Sequence, residues 1–183
     1  MAKSPPRPRA TRAQRGSIAP LDPNNTFEKV VPPEYEMMIG RAMHTWSSLE
    51  QAIEEAVWAL LSLDIANGRI VTGRLDANHK ISLLRRLCEK RLPLKELQNV
   101  LTLIGRLEDL YSTRNLFAHA IWGTNRPSGQ VVALSLKEKV PNDSSEDVVV
   151  AAYYEISQLG EIVLSMMKAT NALVSFRKMV SPR

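Results

Sequence analysis

An arginine, an asparagine and a histidine near the middle of the chain are the residues best suited to chemistry. They stand in the run Arg114-Asn115-Leu116-Phe117-Ala118-His119. A guanidinium is a permanent forked donor for phosphate oxygens, and an imidazole exchanges protons near neutral pH. Side by side they suit the binding and cleavage of a phosphate ester. Counting back from Ile121 in threes and fours gives Phe117, Arg114, Leu110, Leu107 and Leu103, an apolar helical stripe with one cation set into it. A second line, Glu108, Ser112, Asn115 and His119, is polar. Asn115 and His119 are four apart and share a face, with Arg114 on the border of the two stripes.

The elements that must position these groups are legible in the pattern. From Glu34 to about Ala66, Ile39, Trp46, Ile53 and Leu60 repeat every seven residues, interleaved with Ala42, Leu49, Ala56 and Leu63. That spacing predicts a long helix with an apolar seam, a rod of roughly 50 Å ended by Asn67-Gly68. The seam takes in Trp46, while Trp58 falls on the outer side and hints at a partner surface. Residues 69–75 read as a connection. Asp76 reads as the N-cap of a second helix, with Ile81, Leu84, Leu87 and Cys88 on one side and Lys80, Arg85, Arg86, Glu89, Lys90 and Arg91 on the other. A third helix runs from about Pro93 to His119.

Trp122-Gly123 and Arg126-Pro127-Ser128-Gly129 then mark turns. Val131–Leu136 and Val148–Tyr154 read as two strands joined by the polar loop 141–145. Ser157 is the expected cap of a last helix reaching about Met179, with Leu159, Ile162, Val163, Met166, Met167 and Leu173 inward. The fold class expected is all-α: an up-and-down four-helix bundle over residues 34–180, with a small β-hairpin at about 130–154 inserted before the last helix.

Charge is unevenly placed. Lys3, Arg7, Arg9, Arg12 and Arg15 account for the whole net charge of +5, since the remaining chain holds 19 basic and 19 acidic residues. Residues 1–33 therefore read as a disordered basic arm followed by a Pro-rich linker, and such an arm attracts polyanions without regard to sequence. One cysteine excludes an internal disulfide framework, and no apolar run is long enough for a membrane span. A soluble, cytoplasmic protein is expected. His44, His79 and His119 lie on three different helices without metal-ligand spacing, and no Gly-rich phosphate loop is present. No metal and no cofactor are expected.

The arginine–asparagine pair followed four residues after the asparagine by histidine, ending a helix of a bundle of this size, resembles the signature of the HEPN superfamily. The resemblance covers about residues 34–179. It implies a two-fold homodimer and, in the active members, a metal-independent endoribonuclease whose arginine and histidine meet at the dimer interface. By position it implies His119 as general acid/base, Arg114 as phosphate clamp and Asn115 as orienting neighbour. Glu108 and Ser112, further up the polar line, are expected to contact substrate or support the site. Single-stranded RNA is the substrate implied, with a toxin-like or defence role and an antitoxin-like protein as a possible partner.

A second expectation belongs to a different class: a non-catalytic dimeric module of the same fold, holding a protein partner or a nucleotide. The Val148–Val150 edge would then accept a strand from another chain. Arg114 would serve only to fix helix register by pairing with Glu108 or another carboxylate.

Overall fold

The computed structural model describes residues 17–20, 27–137 and 148–181. The chain is mostly helical with a small antiparallel sheet. The helices are α1 (Pro33–Leu61), α2 (Ile65–Thr72), α3 (Ala77–Arg91), α4 (Leu94–His119) and α5 (Ile156–Val180). The strands are β1 (Ser17–Pro20), β2 (Phe27–Glu28), β3 (Ile121–Asn125), β4 (Val131–Lys137) and β5 (Val148–Tyr154). None of these helices is long and apolar enough to cross a membrane. The described residues divide into two compact units. One holds 44–112 and 164–181, the other 17–20, 27–43, 113–137 and 148–163.

The helical unit is built on the seam. Trp46, Leu49, Ile53, Ala56 and Leu60 of α1 are buried, as are Ile81 and Leu84 of α3, Ile104, Leu107 and Leu110 of α4, and Met166 and Leu173 of α5. Met167, expected inward, is 45% exposed. Cys88 is fully buried, and burial, with the nearby Glu89 charge, pushes its thiol up to about 11.

The first helix is shorter than its sequence pattern. It stops at Leu61 because Ser62 takes a left-handed conformation with φ 56°. Leu63 N–H then donates to the Trp58 carbonyl at 3.0 Å and Ser62 N–H to the Ala59 carbonyl at 3.2 Å. This pair of bonds closes the helix end in the manner usually left to glycine. Asp64 next caps α2, its carboxylate accepting from the Asn67 N–H at 2.8 Å. Among the described residues five helices replace the four expected, because the segment read as a helix end and a connection folds as α2.

That short helix buries Trp58, correcting the expectation of an outward ring. Its indole N–H donates to the Thr72 hydroxyl at 3.0 Å, and the hydroxyl donates to the Gly68 carbonyl at 3.1 Å. A Cβ on Gly68 would lie 2.5 Å from the indole ring, so only glycine lets α2 sit this close. Gly68 is thus a packing contact rather than a helix stop.

In the second unit the sheet order is β1-β5-β4-β3-β2, every pair antiparallel. The expected hairpin is present as β4 and β5, and its loop 141–145 lies outside the described residues. Three strands were not expected. Trp122-Gly123 lies within β3 instead of a turn, and the turn is confined to Arg126–Gly129, where Gly129 N–H donates to the Asn125 carbonyl at 2.7 Å. Ser17–Pro20 and Phe27–Glu28, both assigned to an unstructured arm and linker, pair with β5 and β3. The rest of the arm, residues 1–16, lies outside the described residues. A Cβ on Gly123 would overlap the Glu28 carbonyl oxygen, so the glycine admits β2 to the sheet edge. The last helix is capped at Glu155, not Ser157: Glu155 N–H donates to the Gln158 side chain at 2.8 Å.

Two substitutions test the α1–α2 junction. Gly68→Ala is expected to lower stability by roughly 1–3 kcal/mol, the range for overpacking a tight contact, in urea unfolding. Ser62→Gly should raise stability by about 0.5–1 kcal/mol in the same measurement, because it relieves a left-handed backbone.

Candidate functional site

Arg114, Asn115 and His119 occupy the last two turns of α4 in the second unit. The structure joins the first two directly: an Arg114 guanidinium N–H (Nη1) donates to Asn115 Oδ1 at 3.1 Å. Both side chains are half-buried, and Arg114 Nε is buried with no hydrogen-bond partner among the described residues. His119 is the final residue of the helix and is exposed. A guanidinium held by its neighbour's amide therefore precedes a solvent-facing imidazole by little more than one helical turn.

The helix end that carries these groups is fastened from two directions. Ala120 N–H donates to the Leu116 carbonyl at 2.8 Å. The Trp122 indole N–H donates to the Phe117 carbonyl at 3.2 Å. Both carbonyls belong to the last turn, which has no intrahelical donors of its own. Phe117 packs edge-on against Trp122 and Tyr154, with ring centroids 5.3 and 5.6 Å away. Such contacts contribute about 0.5–1.5 kcal/mol each beyond area burial. Trp122 was missed as a supporting residue because a Trp-Gly pair after a helix reads as a turn.

Glu108 and Ser112 belong to the helical unit and are engaged there. The Glu108 carboxylate accepts from Arg85 at 2.9 Å. The Ser112 hydroxyl donates to the Glu108 backbone carbonyl at 3.1 Å. The carboxylate that was expected to fix Arg114 is thus held by a cation from α3, while Arg114 is held by Asn115.

The helical unit contains a second polar constellation, centred on Lys80, which the sequence pattern set on the side of its helix opposite Ile81, Leu84, Leu87 and Cys88. Lys80 is 6% exposed and donates to Glu50 at 2.7 Å and to Glu54 at 2.5 Å. Glu50 also accepts from the Trp46 indole at 3.1 Å. Burial alone would lower the Lys80 pKa, but hydrogen bonds and charge from the two glutamates outweigh it and hold the ammonium above its ordinary value of 10.5. Glu54's neighbour Glu55 pairs with Arg177 of α5. These carboxylates line a cavity of about 950 Å³ together with Trp58, Asp64, Arg69 and Arg177. The available sign was the i, i+4 spacing of Glu50 and Glu54, which sets two acids on one face of α1. His44 and His79 are exposed, and among the described residues no group of three His, Cys, Asp or Glu is placed to hold a metal ion.

Because the folded pKa of Lys80 is raised, the stabilisation it brings is complete below the unfolded value and is lost as pH rises through the folded one. Lys80→Met is expected to cost roughly 3 kcal/mol near neutrality, leaving two carboxylates without their cation. The contribution of Lys80 to wild-type stability should be lost only above pH 10.5, and chemical unfolding of wild type and variant at a series of pH values checks both.

Searched against family models, curated proteins and solved structures, the chain returns no match.

Proposed function

We propose that this protein is a metal-independent endoribonuclease of the HEPN type that cleaves single-stranded RNA as a homodimer, in a toxin-like or defence setting. Its fold is then an up-and-down four-helix bundle elaborated by α2 and by a sheet ahead of α5. The observation that carries the reading is the Arg114–Asn115 pair set just before an exposed His119 at the end of α4.

The chemistry follows from those groups. His119 of one protomer takes the proton from an RNA 2′-hydroxyl as its oxygen attacks the adjacent phosphorus. Charge builds on the phosphorane oxygens, and the Arg114 guanidinium stabilises it without a metal. The P–O5′ bond breaks, and the second protomer's copy of the imidazole protonates the departing oxygen. The products are a 2′,3′-cyclic phosphate and a free 5′-hydroxyl. Asn115 limits the rotamers open to Arg114, so less side-chain freedom is lost when phosphate binds. Single-stranded RNA fits because in-line attack needs a backbone free to turn.

The alternative of a non-catalytic module draws less support. Of the Val148–Val150 edge proposed to receive a foreign strand, Val150 is already paired with Pro20 of β1, whose ladder continues to Tyr153. The cavity of the helical unit is a poor nucleotide site, since Glu50, Glu54, Glu55 and Asp64 outnumber Arg69 and Arg177 in its lining and repel phosphate.

Labelled single-stranded RNA incubated with the protein in EDTA should be cut to fragments ending in a cyclic phosphate. His119→Ala should slow this by about 10²–10⁴-fold, the usual contribution of a positioned acid–base group, while the far-ultraviolet dichroism stays that of the wild type. Cleavage that needs a divalent ion, or that persists in the variant, rejects the assignment.

A further inference from the structure

Glu50, Glu54 and Trp58 follow one another at intervals of four, so two carboxylates and an indole share one side of α1. With α2 and the end of α5, that side walls the cavity of about 950 Å³ in the helical unit. Pockets for small ligands run from roughly 300 to 1,000 Å³, so the space suits a small molecule.

The charges around it do not balance. Glu50, Glu54, Glu55 and Asp64 meet three cations: Lys80 between Glu50 and Glu54, Arg177 on Glu55, and Arg69. One negative charge is left over, and the hydrogen bonds locate it. Glu50 uses both oxygens, Oε1 for Lys80 and Oε2 for the Trp46 indole. Glu55 accepts from Gln51 and from Arg177. Asp64 caps α2, accepting from the Asn67 backbone and amide. Glu54 gives Oε1 to Lys80, but its Oε2 takes no hydrogen bond among the described residues. The Glu54 side chain is only 20% exposed, so water solvates that oxygen poorly. A carboxylate in that position favours a cationic donor. Arg69 is exposed, where water and salt screen its opposing charge.

The rest of the lining is apolar: Trp58, Ala59, Leu63 and Ile65. The Trp58 N–H is committed to Thr72, so the indole offers the cavity only its ring. Ile65 is 66% exposed, a branched side chain that an occupant would take out of water.

We infer that this cavity binds a small organic cation, whose ammonium head donates to Glu54 Oε2 and whose apolar body lies against Trp58, Ala59, Leu63 and Ile65. The same charge that attracts an ammonium turns away carboxylates and phosphates. The inference concerns the helical unit alone and does not depend on the ribonuclease reading, so the failure of one leaves the other standing.

The test is calorimetric titration of the full-length protein at neutral pH with protonated 2-phenylethylamine. Its neutral counterpart is 2-phenylethanol, and its anionic one 3-phenylpropionate. The amine should bind at least about tenfold more tightly than the alcohol, the least that a hydrogen bond to a charged acceptor contributes, and the anion should not bind. Glu54→Gln keeps the Lys80–Glu50 bond and should erase the preference for the amine. Ala59→Phe leaves every carboxylate in place but fills the apolar side, and should abolish binding. Far-ultraviolet dichroism reports whether each variant is folded, and Glu54→Gln alone decides should Ala59→Phe not fold. An amine that does not bind, or binds no better than the alcohol or the anion, overturns the inference. So does a preference that survives Glu54→Gln, or binding that survives in folded Ala59→Phe.

Discussion

A helix that stops must find donors for its last carbonyls, and the way α4 does so governs the candidate site. The Leu116 carbonyl takes the Ala120 N–H, and the Phe117 carbonyl takes the indole N–H of Trp122 from strand β3, which follows the helix. The bond to Trp122 forms only if the chain reverses at once into β3, so the helix end and the sheet specify one another. An exposed histidine at the terminal residue of a helix would ordinarily fray. Here the backbone under it is pinned, and the ring stays solvent-facing because the aromatic packing involves Phe117, Trp122 and Tyr154 instead.

Polar groups in the two units are satisfied by different means. In the second unit Arg114 is met by the amide of the next residue, a neutral acceptor that leaves the guanidinium its full charge. In the helical unit Lys80 is met by two carboxylates, leaving that cluster one charge negative. A cation facing a neutral amide remains available to an incoming anion. A lysine enclosed by two glutamates does not, and its role is to hold α3 against α1. This difference in partners, more than any difference in residue type, separates a candidate site from a structural cluster.

Much of this was legible in the sequence, and the misreadings have physical causes. The α1 seam was readable because Trp46, Leu49, Ile53 and Leu60 repeat with a fixed period and are all buried. The end of that helix was not, because a serine in a left-handed conformation carries no compositional sign and Gly68 reads as a stop when it is a contact surface. Trp58 was assigned outward from the wrong boundary: with α2 folded over it, an outer position becomes an inner one. Lys80 was grouped with the charged side of its helix because amphipathic reasoning sorts residues by polarity and cannot see carboxylates arriving from another helix. The motif was readable because Asn115 and His119 are spaced for one face. The Arg114–Asn115 bond was not, since neighbouring residues leave a helix in different directions and only a long flexible side chain folds back. Strands β1, β2 and β3 were hidden by prolines and glycine, residues that usually break a ladder; here Pro20 ends β1 and Gly123 sits inside β3.

The same placement of prolines and glycines has a consequence for how the protein behaves at high concentration. An antiparallel sheet ordinarily offers unsatisfied amides on its two outermost strands, where further copies can add and a fibre can grow. In this sheet one outermost strand is four residues long and ends in Pro20, and the other is only Phe27-Glu28, beside a linker that contains Pro32 and Pro33. Neither supplies the long, uninterrupted ladder that polymerisation requires, and β1 covers β5 over Val150–Tyr153.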